Sequence, residues 1–367
     1  MVIVGRMSSK EQQMDYPGNE EAQKIIHEIW KEYLANKTPQ DYTSLYIHVP
    51  YCTQKCAYCE YFSKVTTTGI PDSCLDYLEE QFMNALPFFK DEPIKALNFG
   101  GGTPNLLSPA QLDRVLKMIS KYWKLDLSHS NEMGFEFHPH HITEEHFDVL
   151  RHSYINRVSM GIQSFNPHVL KLEKRYPTSK GRLLYLYNTV SSFARMVNID
   201  LLAGLFDQTS EILIDDVRTL MDIGIESITI YELNRINGRN NKESERDYIT
   251  KMLLDTYDAL KDRQEYRYVG TTLEDGFMHC NKYYRKNADM FEIPYNPAPQ
   301  GFNNVVAFSI DDDSLEKYPY SHFIPINKAY QRLGNRETLF YSLDRKVQED
   351  RPWWKDGFER RAGKVFK

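Results

Sequence analysis

The sequence predicts an α/β fold, a partial (β/α)6 TIM-like barrel followed by a smaller, less regular C-terminal region. Three observations carry this expectation. Short apolar runs alternate with helix-like stretches six times between residues 45 and 233. Each intervening stretch is long enough for a helical crossover, so parallel pairing follows. Polar or glycine-rich residues sit at or just after the ends of most of the six runs, where barrels gather their chemistry. An open doubly wound sheet satisfies the first two observations, and the third favours the barrel.

Residues 1–42 form a helical lead-in. Within them, 18–36 place Ile25, Ile26, Ile29, Trp30 and Leu34 on one helical face with Glu and Lys opposite. The core, 43–235, holds the strand-like runs LYIHV (45–49), ALNF (96–99), GFEF (134–137), INRVSMGI (155–162), VNIDLLAG (197–204) and SITIYEL (227–233). Helical stretches fall at 73–89, 109–122, 143–151, 179–194 and 210–223. Beyond about residue 235 the alternation fades into an accessory region, 236–367, expected over the barrel mouth. It has a helix-like segment DYITKMLLDTYDALKDR, a strand-like YRYVG, a Pro- and Asn-rich stretch at 293–304 and then VVAFSI.

Composition excludes several classes. With 41% hydrophobic and 26% charged residues, the chain is neither disordered nor collagen-like. A net charge of -6 argues against a nucleic-acid-binding face, which needs clustered Lys and Arg. The only apolar run at the start, Val2 to Val4, is too short for an export signal, and no stretch approaches the roughly 20 residues of a membrane span. The expectation is a cytoplasmic protein. Five cysteines, three of them within eight residues, point to metal chemistry in a reducing compartment rather than a disulfide framework. Cys74 and Cys280 stand apart and read as small buried residues.

The segment YIHVPYCTQKCAYCEYF places Cys52, Cys56 and Cys59 in a C-x3-C-x2-C loop directly after a strand. Thiolates at these offsets converge on one cluster, as in iron-sulfur proteins. A structural zinc takes four ligands, usually from two knuckles, and the nearest further donor, His48, lies at an alternating strand position. Three thiolates suit a four-iron cluster with one iron left open to a small molecule. One strand later, Phe99-Gly100-Gly101-Gly102-Thr103-Pro104 supplies backbone that can approach a ligand closely. Glu136, Gln163, Arg175 and Asp200 lie at or near strand ends, where buried polar groups need partners. Asp or Glu can accept from hydroxyls or an ammonium, and Arg can pair with a carboxylate. His138, His140 and His141 lie between a strand and a helix cap at Thr143 and read as solvated loop histidines, with a pocket role for His138 left open.

The cysteine loop resembles the signature of the radical S-adenosylmethionine (SAM) enzymes. The wider string is similar to the branch that contains oxygen-independent coproporphyrinogen III oxidase and the related haem chaperone, closely over about 44–235 and loosely beyond. The resemblance implies a barrel of the radical SAM type and a [4Fe-4S] cluster on Cys52, Cys56 and Cys59. It also implies S-adenosyl-L-methionine chelated to the open iron and cleaved reductively to a 5′-deoxyadenosyl radical. By the same resemblance, Gly101, Gly102 and Thr103 match the motif that binds the methionyl amino group. Glu136, Gln163, Arg175 and Asp200 match the family order of SAM contacts, and Tyr46 matches a tyrosine near the cofactor. Partners implied are a small-molecule substrate, for which a tetrapyrrole is one candidate, and a flavodoxin- or ferredoxin-type electron donor. The branch also includes methyl and methylene transferases and haem-delivery proteins, which stand as alternatives.

Departures from the family pattern are instructive. Gly204-Leu205-Phe206 stands where the family has G-L-P, and Glu60 follows Cys59 as in the chaperone-like members. His279-Cys280-Asn281-Lys282-Tyr283-Tyr284 has Cys where the haem-binding H-N-x-x-Y-W string has His. Haem is therefore a further ligand that the resemblance raises without the family histidine, with His279 or Cys280 as the alternative axial ligand. The tail at 339–367 resembles the start of the family's C-terminal domain.

Overall fold

The computed structural model describes residues 35, 41–59, 63–233, 243–272, 278–292 and 302–311. The expected lead-in helix (Ala35 apart), Glu60, residues 293–301 and the tail at 339–367 lie outside them. The core strands are β1 (Asp41–Val49), β2 (Pro93–Gly101), β3 (Met133–Phe137), β4 (Arg157–Gln163), β5 (Met196–Ala203) and β6 (Ser227–Glu232). Between and after them run helices α1 (Ser73–Phe89), α2 (Pro109–Tyr122), α3 (Glu144–Arg151), α4 (Pro167–Leu172), α5 (Lys180–Val190), α6 (Ser210–Ile223) and α7 (Glu243–Leu260). The C-terminal region adds β7 (Tyr266–Thr272), β8 (Met278–Arg285) and β9 (Phe302–Ser309).

All six expected strands and five expected helices form. The helix expected over 179–194 ends at Val190, with Ser191 as its C-cap. Local chemistry sets the boundaries. Ser108 caps α2 reciprocally with Gln111, behind a proline at the first helical position. Gly224 ends α6 at φ 88°, a left-handed stop that a side chain would strain.

The strands form one sheet in the order β7-β8-β6-β5-β4-β3-β2-β1-β9, with the two-residue strand Lys124–Leu125 beside β2. From β6 to β9 every neighbour is parallel, and β8 pairs antiparallel with both β6 and β7. This is a mostly parallel α/β sheet, wound through helices in chain order from β1 to β6 as expected. The C-terminal strands extend it at both edges.

The two faces of the sheet differ sharply. One face carries Leu45, Ile47, Leu97, Phe99, Phe135, Val158, Val197, Ile199, Ile228 and Ile230, all buried in a single apolar core. Leu78 and Phe82 of α1, Val115 of α2, Phe147 of α3, Leu186 of α5 and Val217 of α6 belong to the same core. The other face is polar. Glu136, Ser159, Asn198, Ser227 and Tyr284 lie in register across five strands, and Gly161, Asp200, Thr229 and Lys282 across four. Residues in register share a face, so these rows line the inner side of the sheet.

Candidate functional site

The site is assembled where β1 and β2 end. After β1 the chain makes the short strand Tyr51–Cys52, pairs it with Lys64–Val65, and between them carries the cysteine loop. All three cysteines are free thiols and half-buried. Two other segments grip the loop. The Gly102 N–H donates to the Val49 carbonyl at 2.8 Å and the Thr103 N–H to the Tyr51 carbonyl at 2.7 Å. The Thr103 hydroxyl reaches Cys52 Sγ at 3.6 Å. On the other side, the turn after α4 receives the Ala57 N–H on the Glu173 carbonyl at 2.9 Å and the Gln54 amide on the Lys174 carbonyl at 2.9 Å. Lys174 takes a left-handed φ of 53° there, and Arg175 follows it back toward the loop.

Arg175 donates to Tyr58 Oη at 3.0 Å, to Cys56 Sγ at 3.8 Å and to the Gly161 carbonyl. The guanidinium thus stands against the cysteine loop, and burial holds the Tyr58 phenol protonated. Burial also pushes the Cys52 thiol upward, partly offset by the Thr103 and Ser63 hydroxyls. A metal reverses this balance by binding the thiolate.

Gly101 adopts φ +108°, and a Cβ there would stand 2.5 Å from His48 Nδ1. The backbone of this turn is therefore bare by necessity. At the neighbouring Gly100 a Cβ would meet Tyr46 Oη at 2.6 Å and Glu136 Oε2 at 2.9 Å, which shows that Tyr46 and Glu136 converge over the glycine run. Glu136 accepts from the Asn98 amide at 2.9 Å. Asp200 accepts from Ser159 Oγ at 2.9 Å and from the Asn198 amide at 2.7 Å. Gln163 ends β4 in a left-handed φ of 71° at a register shift, and its Oε1 is buried with no hydrogen-bond partner among the described residues. Strain of this kind costs about 1–3 kcal/mol and persists where the surroundings hold it.

The structure brings Tyr46, Glu136 and the glycine run together, and separately Arg175 with Cys56, and Thr103 with Cys52. Gly161 links Gln163 to Arg175, because a Cβ there would lie 2.7 Å from Gln163 Nε2 and 3.3 Å from an Arg175 nitrogen. Asp200, on the neighbouring β5, is in register with Gly161.

Several participants were missed in the sequence. Asn98, Ser159 and Asn198 fix Glu136 and Asp200, and their signal was a polar residue inside an otherwise apolar strand. The reading of His138, His140 and His141 as solvated is corrected in part. His138 is largely buried, and its backbone exchanges hydrogen bonds with the Asn105 side chain at 2.8 and 3.0 Å. Burial first, then the Arg175 charge, holds its imidazole neutral. His141 meets Thr53 of the cysteine loop at 3.0 Å, and His140 is exposed as expected. Cys74 is half-buried rather than a core residue.

Glu136 is pushed up to about 7, mainly by burial and further by the neighbouring Asp200 charge, against the pull of Asn98. The folded state therefore holds this proton more tightly than the unfolded chain. Its contribution to stability is full below about pH 4.5 and lost as the pH rises through about 7. Glu136→Gln keeps the acceptor for Asn98 and removes the cost. At pH 8 the cluster-free variant is expected to be more stable than the wild type by up to ~3 kcal/mol, with the difference vanishing near pH 4.5 in urea titrations.

Residues 46–220 match the Radical SAM superfamily. The chain carries a radical SAM domain. Relatives of this domain include the heme chaperone HemW of Lactococcus lactis subsp. lactis (strain IL1403), 29% identical over 79% of this chain and 68% of the relative. Oxygen-independent coproporphyrinogen III oxidase of Escherichia coli (strain K12) is 29% identical over 53% of this chain and 42% of the relative. A solved structure of coproporphyrinogen III oxidase (HemN) from Escherichia coli, a radical SAM enzyme, superposes with a TM-score of 0.60 at 24% identity, over 73% of this chain and 59% of that one. Apart from the Lactococcus lactis protein, the chain spans about half the length of the relatives it matches first.

The radical SAM superfamily implies a four-iron cluster and SAM, and the residues present fit both. Among the described residues no three His, Cys, Asp or Glu side chains are placed to hold one metal ion. A cube gives each thiolate its own iron, so three cysteines of one loop suit it better. The bare glycine turn and the buried, unpartnered Gln163 Oε1 fit a polar organic ligand beside it. Among the described residues no helix is long and apolar enough to cross a membrane.

Proposed function

We propose that this chain is a radical SAM enzyme of the coproporphyrinogen-oxidase-like branch, acting on a small molecule of the porphyrin or haem class. Bound at this site, the cluster and SAM supply reductive cleavage of the sulfonium and hydrogen abstraction from the substrate. Cys52, Cys56 and Cys59 hold the cluster. The carbonyls of Gly101, Gly102 and Thr103 accept from the methionyl ammonium, and Arg175 orients the ligand's carboxylate while bracing Cys56. Glu136 and Asp200 accept hydrogen bonds from the ammonium or ribose hydroxyls, and Gln163 and Tyr46 close the pocket around the nucleoside. A flavodoxin- or ferredoxin-type protein donates the electron. The observation that carries this reading is the grip of the glycine turn on the cysteine loop, through Val49, Tyr51 and Cys52.

The test is anaerobic reconstitution with iron and sulfide, then reduction with dithionite in the presence of SAM. Parallel samples with coproporphyrinogen, haem and no substrate are followed for 5′-deoxyadenosine, which is expected to rise above the no-substrate sample with one tetrapyrrole. No 5′-deoxyadenosine in any sample would sink the enzymatic reading. The names of the bacterial HemW relatives favour a second reading, haem binding and delivery. A Soret band on haem titration without 5′-deoxyadenosine would select it. Methyl or methylene transfer predicts consumption of a second SAM per turnover.

A further inference from the structure

Beside the cysteine loop lies a polar cluster that the proposed chemistry does not use. Tyr51, immediately before Cys52, donates its hydroxyl to Asp311 Oδ2 at 2.5 Å. The other Asp311 oxygen pairs with Lys64 Nζ at 2.8 Å, and Lys64 lies opposite Tyr51 in the two-stranded pairing that flanks the loop. Because the tyrosine proton is committed to Asp311, the Cys74 thiol is the donor in its 3.4 Å contact with Tyr51 Oη. Asp311 is only 4% exposed. A carboxylate so buried needs both partners.

Asp311 belongs to a segment 260 residues away in sequence, and its position is tightly built. The Ile310 N–H donates to the His48 carbonyl at 3.1 Å, continuing the parallel register of β9 on β1. Gln81 of α1 donates to the Ser309 carbonyl at 2.9 Å, and Ser309 Oγ accepts from the Asp311 N–H at 3.2 Å. Phe308 packs edge-on to Phe82, 4.9 Å between ring centroids, and lies 5.4 Å from the Trp123 ring.

We infer that Tyr51, Lys64 and Asp311 form a latch through which the segment that follows β9 fixes the placement of the Cys52 thiol. They are positioning residues. Tyr51 is held at its carbonyl by Thr103 and at its hydroxyl by Asp311, so the adjacent Cys52 is attached to a residue fixed at both backbone and side chain. That this thiol is a cluster ligand rests on the proposed function, whereas the latch itself does not.

The experiment compares wild type with Tyr51→Phe and Asp311→Asn, and uses Lys64→Met should Asp311→Asn fail to fold. In cluster-free protein, alkylation of each cysteine by iodoacetamide is followed by peptide mass spectrometry. Loss of a hydrogen bond to a charged group is expected to speed Cys52 labelling about tenfold, with Cys56 and Cys59 changed far less. Labelling that accelerates equally at all three cysteines, in step with a fall in melting temperature, would reduce the cluster to a generic stabilising contact and overturn the inference. Unchanged Cys52 labelling would overturn it too. In reconstituted protein the same variants are expected to retain less iron after gel filtration and to show an altered spin-resonance signal when reduced. A wild type that forms no cluster defeats the proposed function and leaves the labelling ratio to judge the latch.

Discussion

Alanine at Cys52, Cys56 or Cys59 is expected to abolish iron retention and 5′-deoxyadenosine formation together, each variant falling to background while remaining folded. The three thiols are half-buried on a loop whose backbone is held by other groups. Removing one sulfur therefore withdraws a ligand without removing a core contact, at a stability cost of about 1 kcal/mol or less. A cube left with two protein ligands has two exposed irons and is lost to solvent or oxygen. Iron and sulfide analysis beside a thermal melt checks this. A variant that keeps its brown colour and its full iron would refute the assignment of that cysteine.

The second large effect is expected from Gly102→Ala. A Cβ at Gly102 would lie 2.6 Å from the Tyr51 carbonyl oxygen, 2.9 Å from its nitrogen and 3.0 Å from Cys52 Sγ. Two of the three obstacles are backbone, so no rotamer change relieves the clash. The glycine turn must separate from the cysteine loop, breaking the hydrogen bonds from Gly102 and Thr103 at 2.8 and 2.7 Å. Overpacking of this kind costs ~1–3 kcal/mol. The chemical consequence is larger, because on the proposed function the turn would support the ligand loop and receive the cofactor at once. SAM affinity and cluster retention are expected to fall roughly 10–100-fold, as when groups supporting a metal's ligands are lost. Equilibrium binding of SAM to the reconstituted variant, with Gly69→Ala as a left-handed glycine that has open space around it, separates this clash from backbone strain.

The alternation of strands and helices was legible because each core strand has one continuous apolar face and each helix an apolar stripe, and both periods survive in a single sequence. The cysteine loop was legible because its spacing is local. The sheet edges were not. YRYVG and VVAFSI read as strands, but nothing local tells that Val305 pairs with Ser44 while Tyr268 pairs with Tyr283 on the opposite side of the sheet. The partners of the site carboxylates were half-legible. Asn98 and Asn198 announce themselves as polar residues in apolar strands, but which carboxylate each serves depends on register across strands. The surroundings of His138 were only half-legible, because Asn105, which bonds its backbone, and Arg175, whose charge acts on its ring, are distant in sequence and brought in by the fold.

Phe206, standing where the family has proline, has a use that the ring of proline forbids. Its N–H donates to Glu173 Oε1 at 2.8 Å, and Glu173 is fully buried while its own carbonyl holds Ala57 of the cysteine loop. Positions 173 and 206 are thereby coupled, and a change at one sets what is tolerated at the other. A proline at 206 would withdraw this donor from the buried carboxylate, so its cost depends on which residue stands at 173.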